Sequence, residues 1–152
     1  MFRISVLVAL LSLGLLVGCG SSNSAQQEVI DDILGGGTLN GCAAKDFEDL
    51  TGETSVTITA NSPWVNTPTP HNACIGVSSG TEVIWEGNFD EHPLVGGVNG
   101  TEDSSSPITL AGASGTDPVA VTFVNATDTI DVEGYFCTVH PTTMGGVIAV
   151  FP

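Results

Sequence analysis

The last sixteen residues of this chain place three side chains that bind soft metal ions in one short loop. Cys137, His140 and Met144 fall within eight residues of one another, and the apolar run 146–151 follows them. A thiolate, an imidazole and a thioether in such a loop can surround one soft metal ion, and the run after them is typical of a closing β-strand. The C-terminus therefore predicts a strand-based fold with a metal site at the end of a strand.

The rest of the chain after residue 40 also has the pattern of β-structure. Helical periodicity is absent there, and short β-rich runs alternate with Gly, Pro and Asn. Several strands at short spacing favour a β-sandwich, so we expect an all-β fold. The roughly 113 residues from Asn40 onward are enough for one hydrophobic core and too few for two. The predicted strands cover 55–59, 73–77, 81–85, 108–110, 119–124, 129–136 and 146–151.

A second histidine upstream completes a recognisable ligand set. His92 follows the predicted strand 81–85 and lies 45 residues before Cys137. One Cys and two His in a plane, with a long axial Met, are the ligands of blue-copper electron-transfer sites. We therefore predict that His92, Cys137, His140 and Met144 bind one copper ion. The alternative is that Met144 fills the core and the histidines are ordinary polar residues.

The sequence Tyr135-Phe136-Cys137-x2-His140-x3-Met144 resembles the C-terminal ligand loop of the cupredoxin family. Plastocyanins, pseudoazurins and halocyanins are members of that family, and the resemblance covers roughly residues 50–152. It implies a Greek-key β-sandwich for the domain 40–152, a single copper ion that alternates between Cu(I) and Cu(II), and electron transfer rather than catalysis. The chain departs from the plastocyanin pattern at Pro93, at Val139 and in a ligand loop that is one residue shorter.

The N-terminus has the composition of a secretory leader. Arg3 precedes the apolar run 4–17, which at 14 residues is shorter than the roughly 20 that a membrane-spanning helix needs. Leu16-Val17-Gly18-Cys19 resembles the bacterial lipobox, which implies a signal peptide at 1–18 and a lipidated Cys19. An ordinary signal peptide with a chance cysteine is the alternative. We expect 19–39 to be a flexible tether in which 26–34 forms at most two helical turns.

This reading of the leader sets the expected location and the expected disulfide. The domain is expected outside the cytoplasm, anchored to the membrane only by lipid, on the periplasmic side in a Gram-negative bacterium. Cysteines tend to be bridged in such an oxidising compartment, and Cys42 and Cys74 are the two without another assigned role. We predict that they form a disulfide. The competing possibility is a metal site that uses Cys74 and His71.

The acidity of the chain limits its partners. The sequence contains 17 Asp and Glu against two Lys and Arg, for a formal charge of −15 at pH 7. This charge excludes a nucleic-acid role and disfavours docking on anionic lipid. It favours a redox protein partner with a basic surface, although a saline habitat would also select acidic surfaces. We expect no small-molecule substrate. We expect the partner to dock on a small apolar rim formed by Leu94, Gly96, Gly97, Pro141 and 145–146.

Three other functions compete with electron transfer, and the sequence argues against the second and the third. A lipoprotein that carries or stores copper and delivers it to an oxidase would use the same ligands. Copper enzymes need more ligands than the chain offers, since a trinuclear site requires paired His motifs and a dinuclear purple site requires two Cys in the loop, whereas three His and Cys137 alone are present. A metal-free adhesion sandwich would leave the ligand set without a use.

Overall fold

The computed structural model describes residues 22–59 and 73–152 of the chain. The predicted leader 1–18, the predicted lipidation site Cys19, and His71 lie outside the described residues. The described elements are two helices, α1 (Ser22–Leu34) and α2 (Pro107–Ala111), a 3-10 turn (Ala44–Asp46), and nine strands: β1 (Glu48–Asp49), β2 (Ser55–Thr59), β3 (Cys74–Ser78), β4 (Glu82–Glu86), β5 (Leu94–Val98), β6 (Thr101–Glu102), β7 (Val119–Thr122), β8 (Asp131–Cys137) and β9 (Gly145–Phe151).

The strands form two mixed sheets. The larger sheet has the order β1-β3-β9-β8-β5-β6, and the smaller one has the order β2-β4-β7. In the larger sheet β1, β3 and β9 are parallel, whereas β9, β8, β5 and β6 pair in antiparallel fashion. In the smaller sheet β2 is parallel and β7 antiparallel to β4. Two mostly β layers of this kind fit the expected β-sandwich.

The main core lies between the inner faces of the two sheets. Strand residues alternate between the faces of a sheet, so every second residue of β2, β4 and β7 meets every second residue of β3, β8 and β9. Trp85 lies in this core and packs edge-to-face on Tyr135, with ring centroids 5.3 Å apart. The strand members of the cluster are Val56, Ile58, Ile75, Val77, Val83, Trp85, Leu94, Val119, Val121, Tyr135, Cys137, Ile148 and Val150.

A second apolar layer covers the outer face of the larger sheet. Ile30 of α1 and Phe47 pack with Cys74 of β3 and with Val147 and Ala149 of β9. Strands β3 and β9 are therefore buried on both faces, which is why the run 146–151 is almost continuously apolar rather than alternating.

The predicted disulfide between Cys42 and Cys74 is confirmed, and both cysteines lie in this second apolar layer. Cys42 and Cys74 form a disulfide with a Cα–Cα distance of 5.7 Å. The bridge joins the segment after α1 to β3, and it removes the possibility that Cys74 serves a metal site with His71. Among the described cysteines, Cys137 is free and buried.

Three differences between the structure and the expected elements concern the two helices and β5. Within the expected tether, α1 is 13 residues long and docks through Ile30, because the outer face of β3 and β9 offers an apolar surface for the helix. The predicted strand 108–110 is wrong: Ser106 caps α2, Pro107 begins it, and Gly112 ends it with a φ of 70°. Strand β5 was not predicted, because two glycines weaken its pattern.

Across residues 22–59 and 73–152, neither helix has the length and apolar character needed to cross a bilayer.

Candidate metal centre

The loop that joins β8 to β9, residues 137–144, is closed by its own backbone. We refer to it as the ligand loop. At its base the Cys137 N–H donates to the Met144 carbonyl oxygen at 2.8 Å. Within it, the N–H groups of His140 and Met144 donate to the carbonyls of Cys137 and His140 at 3.1 and 2.9 Å. These bonds satisfy the turn backbone and fix the Cα positions of the three residues relative to one another.

A separate loop brings His92 to the same end of the sheet. The His92 N–H donates to the Asn88 carbonyl at 3.0 Å, and Pro93 then leads into β5. In β5, Leu94 pairs directly with Cys137. The Thr138 N–H also donates to the Pro93 carbonyl at 3.0 Å, so the His92 loop is tied to the ligand loop.

The three predicted equatorial ligands converge in the structure. Cys137 Sγ lies 3.8 Å from His92 Nδ1 and 3.9 Å from His140 Nδ1. The ligand atoms of the three residues all lie within 4.8 Å of one another, and the two imidazole centroids are 5.2 Å apart. The group can therefore hold a metal ion.

The distances match those of a three-coordinate plane around one metal ion. Bonds of about 2.3 Å to sulfur and about 2.0 Å to nitrogen, at trigonal angles, separate sulfur from nitrogen by about 3.7 Å. The observed separations of 3.8 and 3.9 Å agree with this value and exceed those of ordinary strong hydrogen bonds. One thiolate with two imidazoles is a donor set that suits copper and zinc.

Solvent reaches the three side chains to different extents. Cys137 is buried, His92 is half-buried and His140 is exposed. The sulfur is thereby kept from water and external oxidants, whereas one imidazole edge faces the surface. The most accessible of the three side chains is therefore that of His140, on the ligand loop.

Met144 is buried, and its backbone lies next to that of Cys137. Its side chain is 1% exposed and belongs to the same buried cluster as Cys137. Its position at the end of the ligand loop is fixed by the hydrogen bond from Cys137. A role for its sulfur as a fourth ligand stays a prediction.

Behind the ligand loop, Tyr135 anchors β8 to the start of β3. Its hydroxyl donates to the Ala73 carbonyl at 3.0 Å. Complete burial raises the pKa of this phenol well above its ordinary value, because the phenolate would lose its hydration. Tyr135 therefore remains a neutral donor two residues before Cys137.

The predicted docking rim is wrong for most of its members. Leu94 is 3% exposed and packs in the main core, and Gly96, Gly97 and Gly146 are buried. The exposed apolar surface near His140 is instead supplied by Val139, which is 57% exposed, and by the half-buried Pro141.

Two Asn-Gly pairs near the site were not recognised as turns from sequence. Asn40-Gly41 and Asn99-Gly100 have positive φ at both residues, as type I′ turns require. The first turn closes the Leu39–Cys42 bridge, and the second joins β5 to β6. Asn-Gly between apolar residues is itself the sequence pattern that would have indicated both turns.

No model of a known protein family matches this chain, and no curated protein matches it in sequence.

Proposed function

We propose that this chain is a mononuclear copper protein of the cupredoxin type, with a Greek-key sandwich and an electron-transfer function. The observation that carries the proposal is the convergence of His92, Cys137 and His140, with sulfur-to-nitrogen distances of 3.8 and 3.9 Å. Zinc would fit the same three donors. A buried thiolate and a thioether at the end of the same loop favour copper instead.

Copper, when bound, supplies a one-electron couple between Cu(I) and Cu(II). His92 and His140 would hold it through Nδ1, Cys137 through Sγ and Met144 through its thioether. These residues are carried by paired strands and by a hydrogen-bonded loop, so their positions are set before any ion enters. A site whose ligands do not move between the two oxidation states has little to reorganise when an electron passes.

The exposed imidazole of His140 is the proposed point of electron entry and exit. Val139 and Pro141 flank it and offer a small apolar contact surface, while Cys137 stays buried behind. The partner would be a redox protein, and the strongly negative chain would attract one with a basic surface. Electrons would move without a small-molecule substrate and without catalysis by this chain.

The proposed location follows from the leader sequence. Removal of 1–18 and lipidation of Cys19 would hold the domain at a membrane outside the cytoplasm, on the periplasmic side in a Gram-negative bacterium. The Cys42–Cys74 disulfide is consistent with an oxidising compartment. Because 17 acidic residues and Lys45 follow the leader, loss of Arg3 would give a formal charge of −16.

A copper carrier that supplies an oxidase is the second candidate, because the exposure of His140 would also let a receiving protein reach the ion. The two functions differ in how firmly Cu(I) is kept. The test is to load one equivalent of copper, reduce it, and add a large excess of a Cu(I) chelator while following the chelate colour.

An electron carrier should retain its copper for many times longer than one oxidation–reduction cycle with a basic cytochrome. Release within a single cycle would contradict electron transfer and support the carrier. The Cys137→Ser variant is the control for adventitious copper, since it keeps both histidines and removes the thiolate.

A further inference from the structure

One side-chain amide, that of Asn40, contacts all three strands that deliver the proposed ligands. Its Nδ2 group donates to the carbonyls of Gly97 and Tyr135, each at 2.9 Å, and to that of Gly146 at 3.2 Å. Gly97 is in β5, Tyr135 in β8 and Gly146 in β9. Since the amide has two hydrogens and three acceptors, at least one hydrogen is shared between two carbonyls.

Two of these acceptors lie close to proposed ligands in sequence. Tyr135 is two residues before Cys137, and Gly146 is two residues after Met144. Tyr135 and Gly146 are themselves a directly opposed pair of the β8–β9 ladder. Asn40 therefore joins both sides of the hairpin just below the base of the ligand loop.

The oxygen of the same amide binds the β5–β6 turn, which lies next to the ligand loop. Asn40 Oδ1 accepts a hydrogen bond from the Asn99 N–H at 2.7 Å. Asn99 begins the β5–β6 turn, and a Cβ placed on the next residue, Gly100, would lie 3.3 Å from Pro141 Cβ. The turn thus packs against the residue that follows His140.

The position of Asn40 is itself fixed by the fold. Its φ of 45° lies in the left-handed region, which Asn tolerates better than most residues. The turn that carries it is closed by mutual hydrogen bonds between Leu39 and Cys42, and the Cys42–Cys74 disulfide fastens that turn to β3. The space beside the amide is also fully used, because a Cβ on Gly134 would come within 2.9 Å of Asn40 Nδ2.

We infer that Asn40 is a positioning residue for the metal centre: its amide sets the spacing of β5, β8 and β9 at the end where His92, Cys137, His140 and Met144 emerge. This inference rests on the proposed function for its consequence at the metal. The hydrogen-bond bracing of the ligand loop does not depend on which metal is bound.

The chain offers a matched pair of variants to test the inference. Asn40→Gly removes the amide at a residue with positive φ and introduces no backbone strain. Asn99→Gly makes the same substitution at the first residue of the other Asn-Gly turn, where φ is 50°, and leaves the backbone N–H that binds Asn40 in place. Any effect of extra backbone freedom should therefore be common to both variants, whereas loss of the bracing amide is confined to Asn40→Gly.

The first measurement is amide hydrogen exchange of the copper-free full chain. Asn40→Gly should speed exchange of the Cys137 and Thr138 amides by about tenfold or more, because several net-stabilising hydrogen bonds to the loop base are lost together. The amides of β4 and β7 in the other sheet should change far less, and Asn99→Gly should leave the ligand loop close to wild type.

Two exchange results in Asn40→Gly would overturn the inference. One is unchanged exchange at Cys137 and Thr138 in Asn40→Gly. The other is an equal acceleration across both sheets, which would mean that Asn40 contributes only to overall stability. A third variant, Asn40→Asp, keeps the size and the acceptor oxygen but lacks the N–H donors, and wild-type exchange in it would also contradict the inference.

The second measurement concerns the copper-loaded protein. Asn40→Gly should shift the thiolate-to-Cu(II) absorption and the reduction potential, whereas Asn99→Gly should change neither. An unshifted spectrum and potential in Asn40→Gly would contradict the positioning role. If wild type binds no copper, the proposed function fails, and the exchange experiment still decides whether Asn40 braces the loop.

Discussion

Cys137 ends β8 with its side chain buried, while His140, three residues further on, is exposed. Because of the short turn between them, one loop presents a sulfur that is protected from solvent and an imidazole edge that is accessible to it. At the scale of single residues, the chemistry of the site depends on this difference in exposure. It also depends on the distances from the Cys137 sulfur to the Nδ1 atoms of His92 and His140, which are 3.8 and 3.9 Å. Two further residues, the buried Met144 and the half-buried Glu133, lead to testable predictions at the same scale.

Replacement of Met144 by Leu tests its proposed role as an axial ligand. The two side chains have similar volume, so the copper-free fold should lose less than about 1.5 kcal/mol of its free energy of unfolding. The copper-loaded variant should have a higher reduction potential, because a lost thioether donor destabilises Cu(II) more than Cu(I). Voltammetry of both proteins gives the comparison, and equal potentials would show that Met144 is a core residue alone.

Glu133 of β8 is predicted to make stability depend on pH. Its half-burial, and next the negative charge of Asp131, raise the pKa of its carboxyl, while the Ser106 hydroxyl opposes the shift. The folded state therefore holds the proton more tightly than the unfolded state. As the pH rises from the ordinary pKa of a glutamate through the raised one, the fold loses free energy of unfolding.

Glu133→Gln should therefore be more stable than wild type at pH 7, by less than about 1 kcal/mol because water screens the exposed part of the carboxylate. The difference should shrink at a pH below the ordinary carboxyl range. Urea unfolding at both pH values measures it. Glu53→Gln removes an equal charge from an exposed position and is the control; an equal gain there would assign the effect to net charge.

At the scale of elements, the hairpin β8–β9 and the loop between them could be predicted from sequence, because an unbroken β-rich run and a ligand motif coincide there. The strand 55–59 was predicted with the bounds that the structure has. The segment of α2 resembles a short strand, because Ile108-Thr109-Leu110 alternates apolar and polar residues and is too short for periodicity to decide; its helix signals are the capping residues Ser106 and Gly112.

The meeting of His92 with Cys137 and His140 required more than local pattern. The expectation came from the ligand set and the family resemblance, and the pairing of Leu94 with Cys137 is the contact that brings them together. Asn40 could not be connected with the site from sequence, because its four hydrogen bonds span separations of 57 to 106 residues. Such contacts are set by the sheet topology.

Helix α1 supplies a prediction about the outer layer of the larger sheet. Ile30 is 2% exposed against that layer, whereas its neighbour Val29 is 48% exposed. Ile30→Ala should lower the free energy of unfolding by about 2–5 kcal/mol, because it leaves a cavity under the helix. Val29→Ala should change it by less than about 0.5 kcal/mol. Urea unfolding of both variants is the measurement, and equal small losses would mean that α1 does not stay docked in solution.

At the scale of the whole molecule, the dominant property is the charge of −15 on a chain with two basic residues. Long-range attraction by such a charge can raise the encounter rate with a basic partner by roughly 10–10³-fold at low salt. The apolar surface beside His140 is small, so recognition would depend on charge for approach and on Val139 and Pro141 for close contact.

Electron transfer to a basic cytochrome should therefore slow steeply with ionic strength, because the screening length falls from about 10 Å at 0.1 M to about 3 Å at 1 M. Stopped-flow mixing across a salt series measures this dependence.

Val139→Glu should slow transfer in low salt without changing the optical spectrum. Val124→Glu is the control, since Val124 is 72% exposed and its neighbour Asn125 contacts Val150, at the far end of the β8–β9 hairpin. A flat salt dependence would indicate that the acidity reflects the habitat rather than the partner.

The copper assignment is tested most directly by the visible absorption of the purified protein during titration with Cu(II). An intense thiolate-to-Cu(II) band should appear and saturate at one copper per chain. The Cys137→Ser variant should lose this band, because a hydroxyl is a hard and poor replacement for a thiolate. A wild-type protein that shows no band with copper, or a Cys137→Ser variant that keeps it, would contradict the assignment of His92, Cys137 and His140 as a copper centre.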